Sequence, residues 1–381
     1  MVPRGGDDPV IAALALAVWL VLVFARHGFW LTRERDTRDL PPEPAHWPAV
    51  VAVVPARDEA AVIAESIASL IAQDYPGPFR VILVDDSSGD GTGDIARRLG
   101  AARLEVLTGL PLAAGWTGKL WAVRQGVEHA GDAPTYLWLT DADIAHAPDT
   151  LRMLVARAEA GSLALVSLMA KLRCETLAER MLIPAFVFFF QMLYPFGLVN
   201  RPTGLGGAAG GCMLVRRTAL EAAGGIAAIR DALIDDCTLG ALLKRQGRIW
   251  IGLTDRSRSI RHYDTFGSVA AMISRSAYAQ LRYSPWLLAG TMLGLALMYL
   301  VPPIAAIFAS GFTRLAGLAA WALMAIVFQP MLAFYRRSPL WGVALPAIAA
   351  FYAACTLLSA WQHVRGRGGM WKGRAQAAAG G

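Results

Sequence analysis

The sequence predicts an α/β domain flanked by membrane segments, and three observations support this prediction. Short apolar runs alternate with helical patterns from residue 50 to about residue 168, which is typical of a mostly parallel sheet with helices on both faces. Long apolar stretches lie on either side of this region. Three apolar runs end in clustered acids, namely Asp85-Asp86, Asp141-Ala-Asp143 and Asp235-Asp236. Because open α/β sheets bind ligands at the carboxyl edge of their strands, these acids predict a ligand site there.

The composition favours a membrane protein. The chain has 381 residues, of which 55% are hydrophobic and only 17% are charged, and this is more apolar than is usual for a soluble enzyme. The formal net charge of +7 is explained by basic residues that flank membrane segments. No basic stripe interleaved with aromatic residues indicates nucleic-acid binding. The four cysteines form no CxxC pair and are expected to be buried thiols in a reducing compartment.

The first predicted element is an N-terminal transmembrane anchor within residues 1–30. Residues 10–24 are continuously apolar, and Arg26, Arg33, Arg35 and Arg38 follow them. A signal peptide would instead carry a small-residue cleavage site at this point. The positive flank places the next part of the chain in the cytoplasm, so we expect a multi-pass protein of the inner membrane. Residues 31–48 form a linker, which residues 40–48 stiffen with proline.

The predicted α/β domain covers residues 49–284, in which residues 49–160 are expected to form the ligand-binding half and residues 161–284 the second half. We expect strands at residues 50–54, 81–84, 104–107, 136–140 and 163–168, and helices at 59–73 and 92–99. The apolar run 232–234 is interpreted as a further buried strand that delivers acids to the sheet edge. A glycine-rich loop at 204–211 and helical patterns at 216–223 and 238–245 complete the domain.

Residues 185–199 are apolar and aromatic but are interrupted by Pro195 and Gly197. This stretch is short for a membrane span. We interpret it as an interfacial segment lying against the bilayer, with a buried core helix as the alternative.

Transmembrane helices are predicted over residues 285–362. The apolar stretches 286–308, 315–335 and 340–361 are each close to the length of a span. Three crossings would place the basic tail, residues 363–381, outside the cell, whereas its arginines favour the inside. Pro302-Pro303 could break the first stretch into a re-entrant hairpin. The topology therefore stays open.

The ends of the first two strands supply candidates for nucleotide binding. The first strand leads into a run that contains Pro55, Arg57, Asp58 and Glu59, which either contact a nucleoside or cap the following helix. Asp85 and Asp86 precede a Ser/Gly turn that suits ribose and base contacts. A dinucleotide site would need glycine directly after the strand, whereas here the glycines follow acids that would repel a pyrophosphate.

Asp141 and Asp143 form the most informative motif. Crowded acids repel one another unless a positive charge lies among them, most simply a divalent cation that carries phosphates. Two acids one residue apart at a strand end can share Mg²⁺ or Mn²⁺. His262 could add a third ligand, although a packed histidine is the simpler interpretation.

Two further positions are candidates for the chemistry. Asp235 or Asp236 could act as a general base whose pKa is raised by burial, and capping of the next helix is the alternative for one of the two. Lys119 follows a glycine turn and could contact a diphosphate as a point charge. The alternative is a solvent-exposed lysine that binds no ligand.

With these motifs the chain resembles the family 2 glycosyltransferases of the GT-A fold over roughly residues 50–283. The matching runs are Val54-Pro-Ala-Arg-Asp-Glu59, Asp85-Asp86-Ser87, Gly118-Lys119, Asp141-Ala-Asp143, Gly210-Gly-Cys212 with Arg216-Arg217, and Ile234-Asp-Asp236. The anchor and the C-terminal spans are similar to those of membrane-bound lipid glycosyltransferases such as ceramide glucosyltransferase. The group associated with hopanoid biosynthesis is suggested by Gly115–Ala122, by Tyr278–Tyr283 and by the tail run Trp371-Lys-Gly-Arg374.

The resemblance implies a role for each matching residue. Asp86, with Asp58 or Glu59, would contact the nucleoside, and Asp141 and Asp143 would hold metal and diphosphate. Asp236 would be the catalytic base, with Asp235 in place of the usual Glu.

Processive synthases of this family carry Gln-x-x-Arg-Trp. The aligned stretch here has Ala279 and Tyr283 at its first and last positions. This departure weakens the prediction of a polysaccharide synthase and leaves Arg282 as a candidate diphosphate contact.

Three functions follow as expectations. The first is an inverting, metal-dependent transferase that moves a sugar from a nucleotide sugar, expected to be a UDP-sugar, to a membrane lipid, with a hopanoid as a candidate acceptor. The second is a processive polysaccharide synthase of the same superfamily. The third is a non-catalytic membrane protein that binds a nucleotide sugar. The oligomeric state is left open.

Overall fold

The computed structural model describes residues 8–366 and two short paired strands, Met370–Trp371 and Arg374–Ala375. Within this part of the chain there are two compact units. One is an α/β unit built from Glu34–Arg173 and Leu198–His262, and the other is a helical unit that includes Cys174–Gly197 and most of the chain after Tyr263. Most of the predicted basic tail, including Arg367 and Lys372, lies outside the described residues.

Eight strands form the sheet of the α/β unit. They are β1 Val50–Ala56, β2 Phe79–Asp85, β3 Leu104–Thr108, β4 Tyr136–Thr140, β5 Ile144–His146, β6 Leu165–Lys171, β7 Cys212–Arg216 and β8 Ile249–Ser259. Their order in the sheet is β3-β2-β1-β4-β7-β6-β8-β5.

The helices of the two units are, in chain order, α1 Pro9–Ala25, α2 Ile63–Ile71, α3 Thr92–Arg98, α4 Gly118–His129, α5 Thr150–Ala160, α6 Leu177–Leu193, α7 Phe196–Val199, α8 Arg217–Ala222, α9 Asp235–Lys244, α10 Phe266–Ser274, α11 Ala277–Gln280, α12 Pro285–Leu295, α13 Val301–Phe308, α14 Gly311–Phe334 and α15 Leu345–Val364.

The sheet is mixed. The pairs β3/β2, β2/β1, β1/β4 and β6/β8 are parallel, whereas β4/β7, β7/β6 and β8/β5 are antiparallel. The expected parallel order therefore holds for the first four strands. Every residue of β1 is buried, as its run of valines requires for a central strand covered on both faces. Trp138 of β4 and Leu83 of β2 belong to the same core.

Two predicted boundaries were wrong. Helix α2 begins at Ile63 rather than at residue 59, because residues 57–58 form a bend and residues 60–62 a turn. The run 232–234 is a half-buried bend and not a strand. The acids that follow it therefore lie in the first turn of α9.

The helical unit contains four helices that are long and apolar enough to cross a membrane: Leu177–Val199, Pro285–Phe308, Gly311–Phe334 and Leu345–Val364. The last three match the predicted C-terminal stretches. In the stretch Pro285–Phe308, α12 continues through a π-helical segment at Ala296–Leu300 directly into α13. Pro302-Pro303 therefore does not break this helical stretch. Such π segments commonly accommodate disruption of the regular hydrogen-bond ladder.

The segment predicted to be interfacial belongs to a longer helix. A capping box of Thr176 and Glu179 starts α6 at Leu177, eight residues before the predicted start, and this extends the apolar helical region to 23 residues. The helical region that contains this stretch is therefore long enough to be a candidate span, and its interfacial placement stays a prediction. Phe188 of α6 is fully buried and packs against Phe29 and Phe328.

The predicted N-terminal anchor is the 17-residue helix α1. Asp8 caps it by accepting a hydrogen bond from Val10 N at 2.9 Å, and Pro9 occupies its first turn. Trp19 is fully buried and donates a hydrogen bond to the carbonyl of Met298 at 2.8 Å. The helix is therefore packed within the helical unit.

Candidate active site

A small pocket opens in the α/β unit at the carboxyl ends of β1 and β4. It is lined by residues from six places in the chain: Pro55, Lys119, Leu120, Val123, Leu139, Thr140, Asp141, Gly210, Met213, Ile226, Ile229, Asp235 and Leu239. The predicted residues Pro55, Lys119, Asp141 and Asp235 therefore meet at one site. This is the sheet edge at which the sequence predicted a ligand.

Lys119 lies at the centre of the acids. Thr117 caps α4 through its side chain, which places Lys119 in the first turn of this helix. Its Nζ lies 2.9 Å from Asp141 Oδ1 and 2.9 Å from Asp235 Oδ2. Burial works to lower the pKa of Lys119, but the carboxylates of Asp141 and Asp235 raise it above the ordinary value. The ammonium group is therefore a permanent positive charge between two of the acid clusters.

Asp235 and Asp236 have different partners. Asp235 pairs with Lys119, whereas Asp236 accepts hydrogen bonds from Gly210 N at 2.9 Å and from Cys237 N at 2.7 Å. The N-cap of α9 is Ile234, so neither acid occupies the capping position that was the alternative interpretation. Burial, reinforced by the charge of Asp235, raises the pKa of Asp236 to about 6.

Gly210 allows the loop before β7 to approach Asp236 closely. A Cβ at this position would lie 3.3 Å from Asp236 Cβ and 3.4 Å from its Oδ2. These distances are shorter than ordinary van der Waals contacts. Glycine therefore brings a backbone N–H within hydrogen-bond distance of the carboxylate without crowding it.

Asp143 is paired with a residue that the sequence analysis did not select. Its Oδ2 lies 2.6 Å from Arg261 Nε, and Arg261 Nη2 lies 2.5 Å from Glu59 Oε1. Glu59 is 7% exposed and precedes α2 by several residues, so it serves as an ion-pair partner rather than as a cap. The only signal for Arg261 in the sequence is its position beside His262.

The loops that follow β1 and β2 are joined by hydrogen bonds. Asp58 N donates to Ser88 Oγ at 3.0 Å, and Gly89 N donates to Asp58 Oδ1 at 2.8 Å. Asp58 has a left-handed φ of 51°, a conformation that this cross-link stabilises. The predicted nucleoside-binding residues of the two strands therefore form one connected rim.

Asp86 lies at the base of this rim. It is 1% exposed, and its carboxylate lies 3.7 Å from Arg57 Nη1. The same guanidinium donates a hydrogen bond to the Asp86 carbonyl. Asp85 accepts a hydrogen bond from Ser88 N at 3.1 Å. Both acids thus organise the turn.

The donor set of this site suits a hard divalent cation. Among residues 8–366, no group of three or more His, Cys, Asp or Glu side chains is arranged to hold a metal by itself. The carboxylates of Asp141 and Asp143 nevertheless supply oxygen ligands of the type that Mg²⁺ and Mn²⁺ prefer. Burial raises the pKa of Asp141 even though Lys119 opposes this shift. Asp141 is paired with Lys119 and Asp143 with Arg261, so a cation bound here would share the two carboxylates with these basic side chains.

Arg282, the other predicted diphosphate contact, belongs to the helical unit. It lies in the turn after α11 with a left-handed φ of 52°. The neighbouring Tyr283 has a φ of 54° and stacks on His363, with 4.3 Å between ring centroids. The role of Arg282 as a diphosphate contact stays a prediction.

Comparison with known proteins identifies the domain type. Residues 51–224 match the sequence model of glycosyl transferase family 2, so this part of the chain carries a domain of that family. No curated protein sequence matches the chain significantly.

One solved structure shows the same fold, and two others are similar over part of their length. The mannosyltransferase PcManGT from Pyrobaculum calidifontis, in complex with GDP-Man and Mn²⁺, is 20% identical, with a TM-score of 0.55, over 93% of this chain and 99% of that chain. Glucosyl-3-phosphoglycerate synthase from Mycobacterium tuberculosis is 22% identical over 59% and 77% of the two chains, with a TM-score of 0.37. S. aureus TarS 1-349 is 14% identical over 84% and 92%, with a TM-score of 0.38. The first of these similarities establishes a GT-A-like fold.

Proposed function

We propose, starting from the glycosyltransferase family 2 domain at residues 51–224, that this protein transfers a sugar from a nucleotide sugar to a membrane lipid with inversion at the anomeric carbon. The observation that carries the proposal is the pocket in which Lys119 joins Asp141 to Asp235, directly beside Asp236. The pocket holds the fixed positive charge of Lys119, and the residue after its lining residue Asp235 is Asp236, whose carboxylate has a pKa of about 6. A displacement with a proton to remove and an anion to release requires both.

Asp236 is the proposed base. As the acceptor hydroxyl oxygen attacks the anomeric carbon, the bond from that carbon to the phosphate oxygen breaks, and the hydroxyl proton passes to Asp236. Each carboxylate oxygen of Asp236 accepts one backbone hydrogen bond and keeps a second lone pair for the proton. A pKa of about 6 leaves this group largely ionised at neutral pH while making it a stronger base than an ordinary aspartate.

Lys119 is proposed to stabilise the departing nucleoside diphosphate. When bound, Mg²⁺ or Mn²⁺ would be held by Asp141 and Asp143 and would supply further positive charge to the diphosphate. Because Lys119 is already held in place by two carboxylates, little reorganisation is needed as negative charge develops.

The donor is proposed to lie with its nucleoside on the rim formed by Pro55, Arg57, Asp58, Glu59, Asp85 and Asp86. The resemblance to family 2 enzymes favours a UDP-sugar. The presence of GDP-Man and Mn²⁺ in the structurally similar mannosyltransferase supports the class of donor and the use of a divalent cation.

The acceptor is proposed to be a lipid, with a hopanoid as the first candidate. Four helices have the length and composition of membrane spans, so the enzyme and an apolar acceptor would share the bilayer. The arginines that follow α1 favour an inner-membrane location with the α/β unit in the cytoplasm.

A panel of nucleotide sugars tests the donor half of this proposal. The full-length protein in detergent is heated with UDP-glucose, UDP-GlcNAc or GDP-mannose, each with and without Mn²⁺. A donor that binds the folded state raises the midpoint of thermal unfolding by mass action. The radiolabelled form of that donor is then incubated with the protein and a bacterial lipid extract. We expect one sugar to be added to a lipid; long polymers, or no turnover of any donor, would contradict the proposal.

A further inference from the structure

A chain of hydrogen bonds runs from Thr140, which lines the pocket, to His146, a residue without a role in the proposed function. His146 ends β5 and is 6% exposed. Its Nε2 lies 2.9 Å from Thr140 Oγ1, and its Nδ1 lies 2.9 Å from Ser257 Oγ of β8. Thr140 Oγ1 in turn donates to the carbonyl of Gly211 at 2.8 Å.

The available protons give this chain a single direction. Thr140 has one hydroxyl proton, and Gly211 O can only accept, so this proton is committed to the carbonyl. Thr140 Oγ1 must then accept from His146, which assigns the proton of the imidazole to Nε2. Nδ1 consequently accepts from the hydroxyl of Ser257. Burial lowers the pKa of His146 to about 3, so the ring is neutral at physiological pH, as the assignment requires.

Two consecutive members of this chain, Thr140 and Gly211, lie next to the acids with assigned roles. Thr140 directly precedes Asp141, the residue at the end of β4 that pairs with Lys119. Gly211 directly follows Gly210, whose N–H donates to Asp236 at 2.9 Å. The Thr140 hydroxyl therefore connects the backbone beside Asp141 to the loop that orients Asp236, and the imidazole of His146 holds this hydroxyl from the other side.

We propose that His146 is a positioning residue for the transfer reaction, which sets the position of Asp236 relative to Asp141 through Thr140 and Gly211. The expected effect on kcat rests on the proposed function, whereas the hydrogen-bond chain itself does not. Outer residues that hold reacting groups by hydrogen bonds typically affect rates by about 10–100-fold, and ring neutrality makes His146 a fixed donor rather than a proton shuttle.

Two substitutions separate positioning from folding. His146→Leu removes the donor to Thr140, whereas His146→Gln can keep an N–H near the position of Nε2. We expect His146→Leu to lower kcat by about 10-fold or more while the KM for the donor changes less, and His146→Gln to recover part of kcat. The control is Thr150→Val, since Thr150 is a fully buried hydroxyl residue that does not belong to this chain of hydrogen bonds. We expect this variant to keep the wild-type kcat.

The assay uses release of nucleoside diphosphate from UDP-glucose or GDP-mannose with Mn²⁺ and lipid extract, on variants with wild-type thermal unfolding. Wild-type kcat in a folded His146→Leu protein would overturn the inference, as would equal losses in the Leu and Gln variants. If His146→Leu does not fold, Thr140→Val breaks the same chain with the imidazole intact and is expected to lower kcat similarly.

A measurement without turnover tests the hydrogen bonds themselves. The ¹⁵N spectrum of histidine-labelled protein distinguishes a protonated Nε2 from a protonated Nδ1, and the His146→Gln variant identifies the signals of this ring. We expect a neutral imidazole with its proton on Nε2 that persists through pH 5. A protonated Nδ1 would overturn the assignment. If the spectrum shows a neutral ring protonated on Nε2 but the wild-type protein transfers sugar from no nucleotide sugar, the proposed function fails and the hydrogen-bond assignment holds.

Discussion

The ammonium group of Lys119 lies 2.9 Å from the carboxylate of Asp235, and the same nitrogen is equally close to Asp141. One side chain from the start of α4 thereby connects the acid at the end of β4 to the acids at the start of α9. The crowded carboxylates that suggested a cation in the sequence are already partly neutralised by a residue of the protein.

Replacing Lys119 by Met should therefore lower kcat by about 100-fold or more, because a preorganised positive charge for the leaving group is lost. Steady-state kinetics with the donor identified in the panel measure this effect. Lys171→Met is the matched control, since Lys171 pairs with Asp255, whose side chain is 60% exposed, and such surface pairs contribute little. Equal activity of both variants would contradict the role of Lys119.

Replacing Asp236 by Asn should lower kcat by about 100-fold or more, because a general base contributes at least this much. The wild-type rate should fall as the pH drops below the pKa of about 6, since the protonated carboxyl cannot accept a proton. A pH–rate profile without an acid limb near this value would argue against Asp236 as the base.

The same pKa predicts a change in stability with a defined sign. Burial raises the pKa of Asp236 above its value in the unfolded chain, so the folded protein binds more protons between the two values. This group's contribution to the free energy of unfolding therefore decreases as the pH rises through about 4 to 6. Relative to Asp236→Asn, wild type should lose thermal stability over this range; a constant difference between their unfolding midpoints would contradict the shift.

Replacing Arg261 by Leu should destabilise the α/β unit by about 1–3 kcal/mol, because the carboxylates of Glu59 and Asp143 lose a shared partner in a mostly buried position. Arg258→Leu is a control on the same segment of chain, since the Arg258–Glu65 pair is 65% and 55% exposed. Its loss should cost less than about 1 kcal/mol. Chemical unfolding in detergent measures the difference, and equal effects would refute the prediction.

Removal of divalent metal should weaken donor binding. We expect UDP with Mn²⁺ to raise the unfolding midpoint, and EDTA or Asp141→Asn to abolish the Mn²⁺-dependent part of this increase. Asp255→Asn removes an exposed carboxylate elsewhere and should leave the increase intact. A full increase in the presence of EDTA would show that the donor binds without metal.

Replacing Gly210 by Ala should lower kcat more than it lowers stability, because the added Cβ would press on Asp236 at 3.3–3.4 Å. Gly290→Ala provides the comparison, since a Cβ at that helical position meets no atom within 4 Å. Kinetics and thermal unfolding of the two variants separate displacement of the base from a general loss of stability.

Much of the fold could be predicted because its signals are local. The valine-rich run of β1 and the apolar run of β4 showed buried strands, and the acids at the end of β4 lie where the sequence placed them. The bend at residues 232–234 was misread as a strand because three apolar residues carry no periodicity that separates a strand from a loop. The start of α6 was missed because its capping box lies before the apolar run.

The sequence by itself determined that Asp86 and Asp141 stand at the sheet edge, since the residue that follows a buried strand is decided by local hydrophobic pattern. Asp235 and Asp236 follow no strand and reach the site at the start of α9. Only the tertiary structure decided how their charges are balanced. Asp143 meets Arg261 across 118 positions of the chain, and His146 meets Ser257 across 111 positions. Such pairs depend on the order of strands in the sheet and on the placement of α4 and α9 beside it. No local pattern encodes these distances, because they arise from packing of segments that are remote in sequence.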